Sequence, residues 1–249
     1  MKYYVASDIH GFYTEFHEAL EQAGFFADTA PRKLVILGDL FDRGREAREL
    51  QAFILDLMAR DEVILVRGNH EDLFVDLVTT DGGLAYRHHK QNGTYATALQ
   101  LTGFDPAAAF AHCGDFAQAA QETPYYQRII PAMVDYHETE RYVFVHGWIP
   151  CVCDGETYTY RADWRDAPKS AWERSRWYNG MDAARTARDE KTVLCGHWHT
   201  SYGHAKYEGK GSEFDDDADF SPYYAPGIIA LDGCTSYSGR VNVIVLEDR

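Results

Sequence analysis

Apolar and polar positions alternate in a regular order along the first third of the chain. Short β-rich runs at residues 2–7, 33–39 and 62–68 are each followed by apolar residues at helical spacing, at residues 13–24, at 45–60 and from about His70. Three strand-then-helix units in succession predict a parallel sheet with right-handed crossovers.

The pattern changes after the third unit. Residues 81–130 predict short helices separated by Gly and Pro, which form a helical excursion over one side of the sheet. A tryptophan-rich helical stretch is predicted at about 168–188, and further strands at 133–139, 141–147, 192–197, 227–233 and 240–248. These late strands are too many for one simple doubly wound sheet. We therefore predict an α/β fold of two packed β-sheets with helices outside, in one domain over residues 1–249.

Composition narrows the possible partners. The formal net charge of -15 repels nucleic acids and anionic lipid surfaces, so neither is a predicted partner. The chain has no run that resembles a signal peptide or a membrane helix, and a cytoplasmic location is the simplest expectation. Five cysteines predict reduced thiols, although the Cys151 and Cys153 pair leaves a soft-metal site as a minor alternative.

Polar side chains cluster where the predicted strands end, which is where ligands bind in open α/β sheets. The residues at these strand ends are Asp8, His10, Asp39, Asp42, Arg43, Asn69, His70, His146, His197 and His199. One such residue alone is as readily explained by a turn or a hydrogen-bonded histidine. Together, carboxylate, imidazole and amide groups suit Mn, Fe or Zn ions.

Five motifs carry a family resemblance: SDIHG, GDLFDRG, RGNHE, VHGW and CGHWHT, spanning residues 7–200. In order and spacing they resemble the calcineurin-like metallophosphoesterases, in particular the phosphoprotein phosphatase (Ser/Thr phosphatase) branch. The resemblance implies a four-layer α/β/β/α sandwich of two mixed sheets. It does not specify the substrate.

The resemblance also implies a centre of two divalent or transition metal ions, with Mn expected in vitro and Fe or Zn as alternatives. Asp8 and His10 would bind the first ion, Asp39 would bridge both, and the second would be bound by Asn69, His146 and His197. The GHWHT sequence makes His199 a further candidate ligand of the first ion. A hydroxide between the ions would attack phosphorus directly.

The same resemblance assigns the remaining chemistry. His70 would be the general acid, Asp42 would hold its imidazole, and Arg43 would bind the phosphate oxygens. A second phosphate-binding arginine is expected before the last histidine motif. Arg174 and Arg176 are both candidates, Arg165 lies in the same region, and the sequence does not choose among them.

Other residues near the motifs receive structural expectations. Trp148 replaces the small residue usual in this family and is expected to narrow the substrate pocket. Arg67 is expected to support the site through a salt bridge or, as a second possibility, to contact substrate. Glu71 and Asp72 are expected to begin a helix, where negative charge is favourable. The acidic run within residues 205–224 is expected to be a solvated loop, with a substrate-edge loop or a weak calcium site as alternatives.

These observations predict a metal-dependent phosphatase, with a Ser/Thr protein phosphatase as the first expectation. A hydrolase of dinucleoside polyphosphates, of the diadenosine tetraphosphate type, or of other small phosphoanhydrides is the alternative. Its partner would be a phosphopeptide or a small phosphoester. A non-catalytic interaction module fits less well, since Asp39, His70 and Arg43 are all present. The net charge of -15 and Arg43 count against a nuclease. The oligomeric state is left open.

Overall fold

The computed structural model describes residues 1–80, 87–155 and 157–248. Its strands are β1 (Lys2–Ala6), β2 (Arg32–Ile36), β3 (Val63–Leu65), β4 (His137–Glu138), β5 (Tyr142–Phe144), β6 (Val152–Asp154), β7 (Thr157–Thr159), β8 (Thr192–Cys195), β9 (Tyr223–Ala225), β10 (Ile228–Ala230) and β11 (Val243–Glu247).

Helices connect and cover these strands. The α-helices are α1 (Tyr13–Gln22), α2 (Ala47–Ala59), α3 (Asn69–Thr79), α4 (Arg87–Asn92), α5 (Thr94–Thr102), α6 (Pro106–Ala111), α7 (Cys113–Gln121), α8 (Ile130–Ala132), α9 (Lys169–Ser175), α10 (Gly180–Ala183), α11 (Thr200–Gly203) and α12 (Thr235–Ser238). Short π-helical turns at Tyr125–Ile129 and His204–Glu208 and a 3₁₀ turn at Trp164–Asp166 complete the helical content.

Two mixed sheets form the centre of the molecule. The first has the strand order β11-β1-β2-β3, with β1, β2 and β3 parallel and β11 antiparallel to β1. The second has the order β4-β5-β8-β10-β9, with a parallel centre and antiparallel edge strands. The three parallel strand-helix units and the second sheet were both predicted, and both are confirmed.

The side chains of β1 explain how the layers stack. Tyr3 and Val5 face the second sheet and pack in a cluster that includes Phe144 of β5. Tyr4 and Ala6 point the opposite way, into the core beneath the helices. Successive strand residues face opposite sides, so a strand covered on both faces is apolar throughout.

Helices form the two outer layers. The face of α2 that bears Leu50, Ile54 and Leu57 is buried against the first sheet, with the three- and four-residue spacing of an amphipathic helix. On the other side, Trp172 of α9 packs with residues of the second sheet. The chain is therefore the predicted α/β/β/α sandwich.

Several details differ from the sequence prediction or were not predicted. The β6 and β7 strands form a small separate hairpin, whose exposed residues lack an apolar alternation. The region 168–188 contains two short helices rather than one. Residues 87–132 hold α4 to α8, and residues 81–86 of the predicted helical excursion lie outside the described residues.

Within the described chain, no helix combines the length and apolar character needed to span a bilayer.

Trp148 corrects one expectation. Its ring is 1% exposed and packs in the core between the second sheet and its helices, where its Nε1 donates to the Ala187 carbonyl at 2.9 Å. It therefore does not line a substrate pocket. The apolar ring gains more from burial beneath the sheet than from exposure beside the polar site.

Candidate metal centre

The loops after the strands adopt an unusual backbone. Among the described residues, eight non-glycine residues have positive φ, and six of them are predicted site residues. These six are Asp8, His10, Asp39, Asp42, Arg43 and His197. Left-handed backbone at non-glycine positions costs energy and concentrates at functional sites. The strain therefore marks the same strand ends that the sequence singled out.

Two glycines of the motifs allow these loops to approach one another. A Cβ atom on Gly196 would lie 1.8 Å from the Ser7 hydroxyl oxygen and 2.1 Å from an Asp8 carboxylate oxygen. A Cβ atom on Gly68 would lie 2.2 Å from Oδ1 of Asp39. Only glycine leaves room for the carboxylates at these positions.

The first group of potential ligand atoms contains His10, Asp39 and His70, all buried. Nε2 of His10 lies 3.7 Å from Oδ2 of Asp39, and Nε2 of His70 lies 3.8 Å from the same oxygen. The rings of His10 and His70 meet edge to face, with centroids 4.7 Å apart.

The second group contains Asp39, His146 and His197. Nε2 of His146 lies 3.3 Å from Oδ1 of Asp39 and 2.7 Å from Oδ1 of Asn69. The His146 and His197 rings are 5.2 Å apart. Asn69 thus joins this group through its amide oxygen.

Asp39 belongs to both groups, and each of its two carboxylate oxygens faces one of them. Oδ1 faces His146, whereas Oδ2 faces His10. Burial opposes ionisation of this carboxyl, but the charges of His146 and the other neighbouring histidines outweigh it and lower the pKa of Asp39. An ionised carboxylate with divided contacts suits a bridge between two cations.

The donor set fits a metal centre. Nδ1 of His146 lies 2.6 Å from the Leu37 carbonyl, and Nδ1 of His10 lies 2.9 Å from the Phe41 carbonyl. These carbonyls require an Nδ1–H donor, so in the neutral imidazole the Nε2 lone pair faces the oxygens of Asp39 or Asn69. Acceptors that converge in this way need a cation or a proton between them, and a histidine that ligates a metal commonly donates its other N–H to a carbonyl.

Burial favours the neutral form of two of these histidines. It lowers the pKa of His10 well below its usual value, with help from the Arg43 and His70 charges. It also lowers the pKa of His197, to about 3, with help from the His146 charge. Neutral imidazole is the form that binds a metal.

His70 is surrounded differently. Its Nδ1 lies 2.6 Å from Oδ2 of Asp42, a carboxylate that also accepts a hydrogen bond from the Thr94 hydroxyl at 2.7 Å. Burial lowers the pKa of His70, but the Asp39 charge and the Asp42 contact outweigh it, so the net shift is upward. Nη2 of the exposed Arg43 lies 3.5 Å from Nε2 of His70. The imidazole of His70 and the guanidinium of Arg43 therefore meet at the edge of the first group.

Two predicted metal ligands lie outside these two groups. The Asp8 carboxylate accepts hydrogen bonds from the Ser7 hydroxyl and from the backbone N–H of His197, the latter at 3.0 Å. Nε2 of His199 lies 2.6 Å from Oε1 of Glu213. The assignment of both residues as metal ligands stays a prediction, and for His199 the structure offers a carboxylate partner instead.

The three candidate arginines have distinct surroundings. Arg165 pairs with Glu138 and lies over the Trp164 ring. Arg174 is exposed. Arg176 is buried and forms salt bridges with Asp72 and Asp135.

Asp72 links Arg176 to the helix that carries His70. The Asp72 carboxylate also accepts from Nε of Arg67 at 2.7 Å, which agrees with the expected supporting salt bridge of Arg67. Of the three arginines, Arg176 is thus the one tied to this helix. Its role in phosphate binding stays a prediction.

The chain matches a known protein family over most of its length. The family model described as calcineurin-like phosphoesterase matches residues 1–220. The chain belongs to the calcineurin-like phosphoesterases. This membership confirms the family resemblance of the motifs, and the buried candidate ligands fit a metal-dependent family.

Two curated relatives of this chain are both named bis(5'-nucleosyl)-tetraphosphatase. One is the asymmetrical bis(5'-nucleosyl)-tetraphosphatase PrpE of Bacillus velezensis, 30% identical over 138 residues, or 51% of each chain. The other is a symmetrical bis(5'-nucleosyl)-tetraphosphatase of Aromatoleum aromaticum, 34% identical over 89 residues, or 36% of this chain and 31% of the relative. The chain thus matches about half or less of the length of these relatives.

The fold is also shared with a solved structure. The cold-active protein-tyrosine phosphatase of a Shewanella species matches with a TM-score of 0.58 and 16% identity, over 99% of this chain and 75% of that one. At this low identity the likeness concerns the fold alone.

The candidate metal centre contains a carboxylate whose role the sequence did not reveal. Glu71 was expected only to begin a helix, but its side chain is fully buried beneath the loops. It accepts hydrogen bonds from the backbone N–H groups of Gly68 at 2.7 Å and of Asp39 and Leu40 at 3.0 Å each. The motif did contain a signal, because a Glu at the third helical position commonly bonds the N-cap N–H.

The sequence also did not reveal two further residues that contribute to the site, Thr97 and Asp232. The Thr97 hydroxyl accepts from the backbone N–H of Asp42 at 3.0 Å, and nothing local in the sequence indicates this contact. Asp232 is buried, and its charge raises the pKa of Asp8 after the larger effect of burial. Asp232 lies two residues after the end of β10, so the strand-end rule could have found it.

Proposed function

We propose that this phosphoesterase hydrolyses dinucleoside polyphosphates. The observation that carries the proposal is the naming of its curated relatives, both symmetrical and asymmetrical, as bis(5'-nucleosyl)-tetraphosphatases. This supports the alternative raised from the sequence better than the Ser/Thr protein phosphatase that was expected first. We place the activity in the cytoplasm, as predicted from the sequence.

The proposed chemistry depends on two divalent cations held by the buried groups. His10 and Asp39 would hold one, and Asp39, Asn69, His146 and His197 the other, with Asp8 and His199 as further candidates for the first. Two such ions, when bound, supply Lewis acidity that lowers the pKa of water and polarises phosphoryl oxygens. Mn is the metal to test first, with Fe and Zn as alternatives.

The protein groups handle the leaving group and the phosphate charge. His70 is the proposed general acid, since Asp42 holds its Nδ1–H and the raised pKa of His70 keeps a proton on Nε2. Arg43 is exposed beside Nε2 of His70, where its guanidinium can bind phosphoryl oxygens. Arg174 and Arg176 both stay candidates for a second phosphate contact: Arg174 is exposed, whereas Arg176 is buried and its charge is balanced by Asp72 and Asp135.

Hydrolysis of diadenosine tetraphosphate by the Mn-loaded protein tests this proposal. Addition of water across one P–O–P link yields either two molecules of ADP or one of ATP and one of AMP, and chromatography separates these outcomes. Phosphoserine, phosphothreonine and phosphotyrosine peptides serve as competing substrates in the same buffer.

The controls separate the proposed site from contaminating activity. Asp39→Asn should abolish hydrolysis because it alters the carboxylate shared by both groups. Arg60→Ala, which removes exposed salt bridges at the end of α2, should retain it. Faster hydrolysis of phosphopeptides, with no cleavage of the dinucleotide, would restore the protein phosphatase prediction.

A further inference from the structure

An exposed tryptophan borders the candidate metal centre. Trp177 is 51% exposed, unlike the buried rings of Trp148, Trp164 and Trp172. Its indole meets the His197 ring edge to face, with centroids 5.7 Å apart and an interplanar angle of 83°. A large apolar ring at the rim of a polar site leaves a free surface that a ligand can cover.

Trp177 also lines an open cleft of about 390 Å³ between α3 and α9. Leu73 and Val75 of α3 contribute apolar side chains, and the other lining residues are polar or charged: Arg67, Asp72, Asp76, Thr79, Lys169 and Glu173. The volume lies within the range of small-ligand sites, roughly 300 to 1,000 Å³. An aromatic ring, two apolar side chains and several polar groups can bind a nucleoside, which has a flat base and a hydroxylated sugar.

Trp177 joins the cleft to the candidate metal centre. Its ring lines the cleft and also contacts the His197 ring directly. A phosphate bound at the metal centre would therefore leave its attached nucleoside at the mouth of this cleft. Neither the relatives nor the sequence motifs assign a ligand to these residues.

We propose that this cleft binds one nucleoside of the substrate, with its base stacked on Trp177. The inference rests on the proposed function and adds a subsite to it. Stacking uses the flat face that every base has, so the subsite favours nucleosides as a class and discriminates weakly among bases.

The test compares AMP with inorganic phosphate, two ligands that share a phosphate and differ by one nucleoside. Dissociation constants are measured by titration calorimetry on the Mn-loaded protein, without catalysis. Stacking of one base contributes about 5- to 100-fold in affinity. Trp177→Ala should therefore weaken the binding of AMP by that factor. Inorganic phosphate, which does not reach the ring, should bind with the same affinity.

Two variants make the result specific to the ring. Trp177→Phe keeps an aromatic face and should restore most of the AMP affinity. Tyr224→Ala removes an aromatic side chain of similar exposure on the edge strand β9 and should change neither affinity. An unchanged AMP affinity in Trp177→Ala, or an equal loss for both ligands, would overturn the subsite.

This test fails separately from that of the proposed function. If wild type does not cleave diadenosine tetraphosphate but Trp177→Ala still loses AMP selectively, the dinucleotide proposal is wrong and the nucleoside subsite stands. If the dinucleotide is cleaved and Trp177→Ala binds AMP as tightly as wild type does, the proposed function stands and the subsite is wrong.

Discussion

Replacing Glu71 by Gln tests whether one buried carboxylate holds the loops of the metal centre. Oε2 of Glu71 accepts from the N–H groups of Asp39 and Gly68, and Oε1 accepts from the Leu40 N–H and, at 3.2 Å, from the Tyr125 hydroxyl. Glutamine has nearly the same shape but replaces one of these acceptors by an NH₂ donor.

The structure sets the size of the effect. The better orientation keeps the amide oxygen at the Oε2 position, so the Asp39 and Gly68 hydrogen bonds survive and the NH₂ group faces the Leu40 N–H. The Tyr125 hydroxyl can turn to accept from the amide. One buried N–H without an acceptor remains, and this lowers the free energy of unfolding by about 1–3 kcal/mol.

Urea unfolding of the metal-free protein, followed by tryptophan fluorescence, measures this loss. Tyr125→Phe is the matched control: it removes the hydroxyl donor but leaves three N–H groups on the carboxylate, so it should cost only about 0.5–1.5 kcal/mol. The metal content of dialysed Glu71→Gln should also fall, because the lost hydrogen bond holds the backbone of Leu40, the residue directly after Asp39. A stability within about 0.5 kcal/mol of wild type, with full metal content, would refute the reasoning.

Three further predictions concern the proposed acid, the carboxylate that holds it, and the core. His70→Asn should lower the rate of aryl phosphate hydrolysis by about 10²- to 10⁴-fold with metals still bound. Asp42→Asn removes a charge that raises the pKa of His70, so the alkaline limb of the pH–rate profile should move to lower pH. Parental rates and an unchanged profile would contradict the assignment of the acid. Trp148→Phe loses the donor to the Ala187 carbonyl and should lower the free energy of unfolding by about 1–3 kcal/mol, with no change in KM. An altered KM would indicate that Trp148 lines the substrate pocket.

Local pattern determined a large part of this protein. Strand-then-helix periodicity predicted the parallel half of the first sheet, and each polar motif follows an apolar run because a buried strand must end before its polar residues reach solvent. Since the carboxyl ends of neighbouring parallel strands lie at one edge, Asp39, Asn69 and His70 were expected together, and the structure brings them together. The sequence by itself therefore determined the fold class and the membership of most of the site.

Only the tertiary structure decided how these groups are oriented and which partners they have. Asp39 divides its oxygens between His10 and His146, which come from different sheets, while His199 meets Glu213. The same motif contains Asn69 and Glu71, yet Asn69 contacts His146 in the candidate metal centre and Glu71 lies beneath the loops. Such partners are distant in the chain, and each side chain is directed by packing and hydrogen bonds that form only when the two sheets stack.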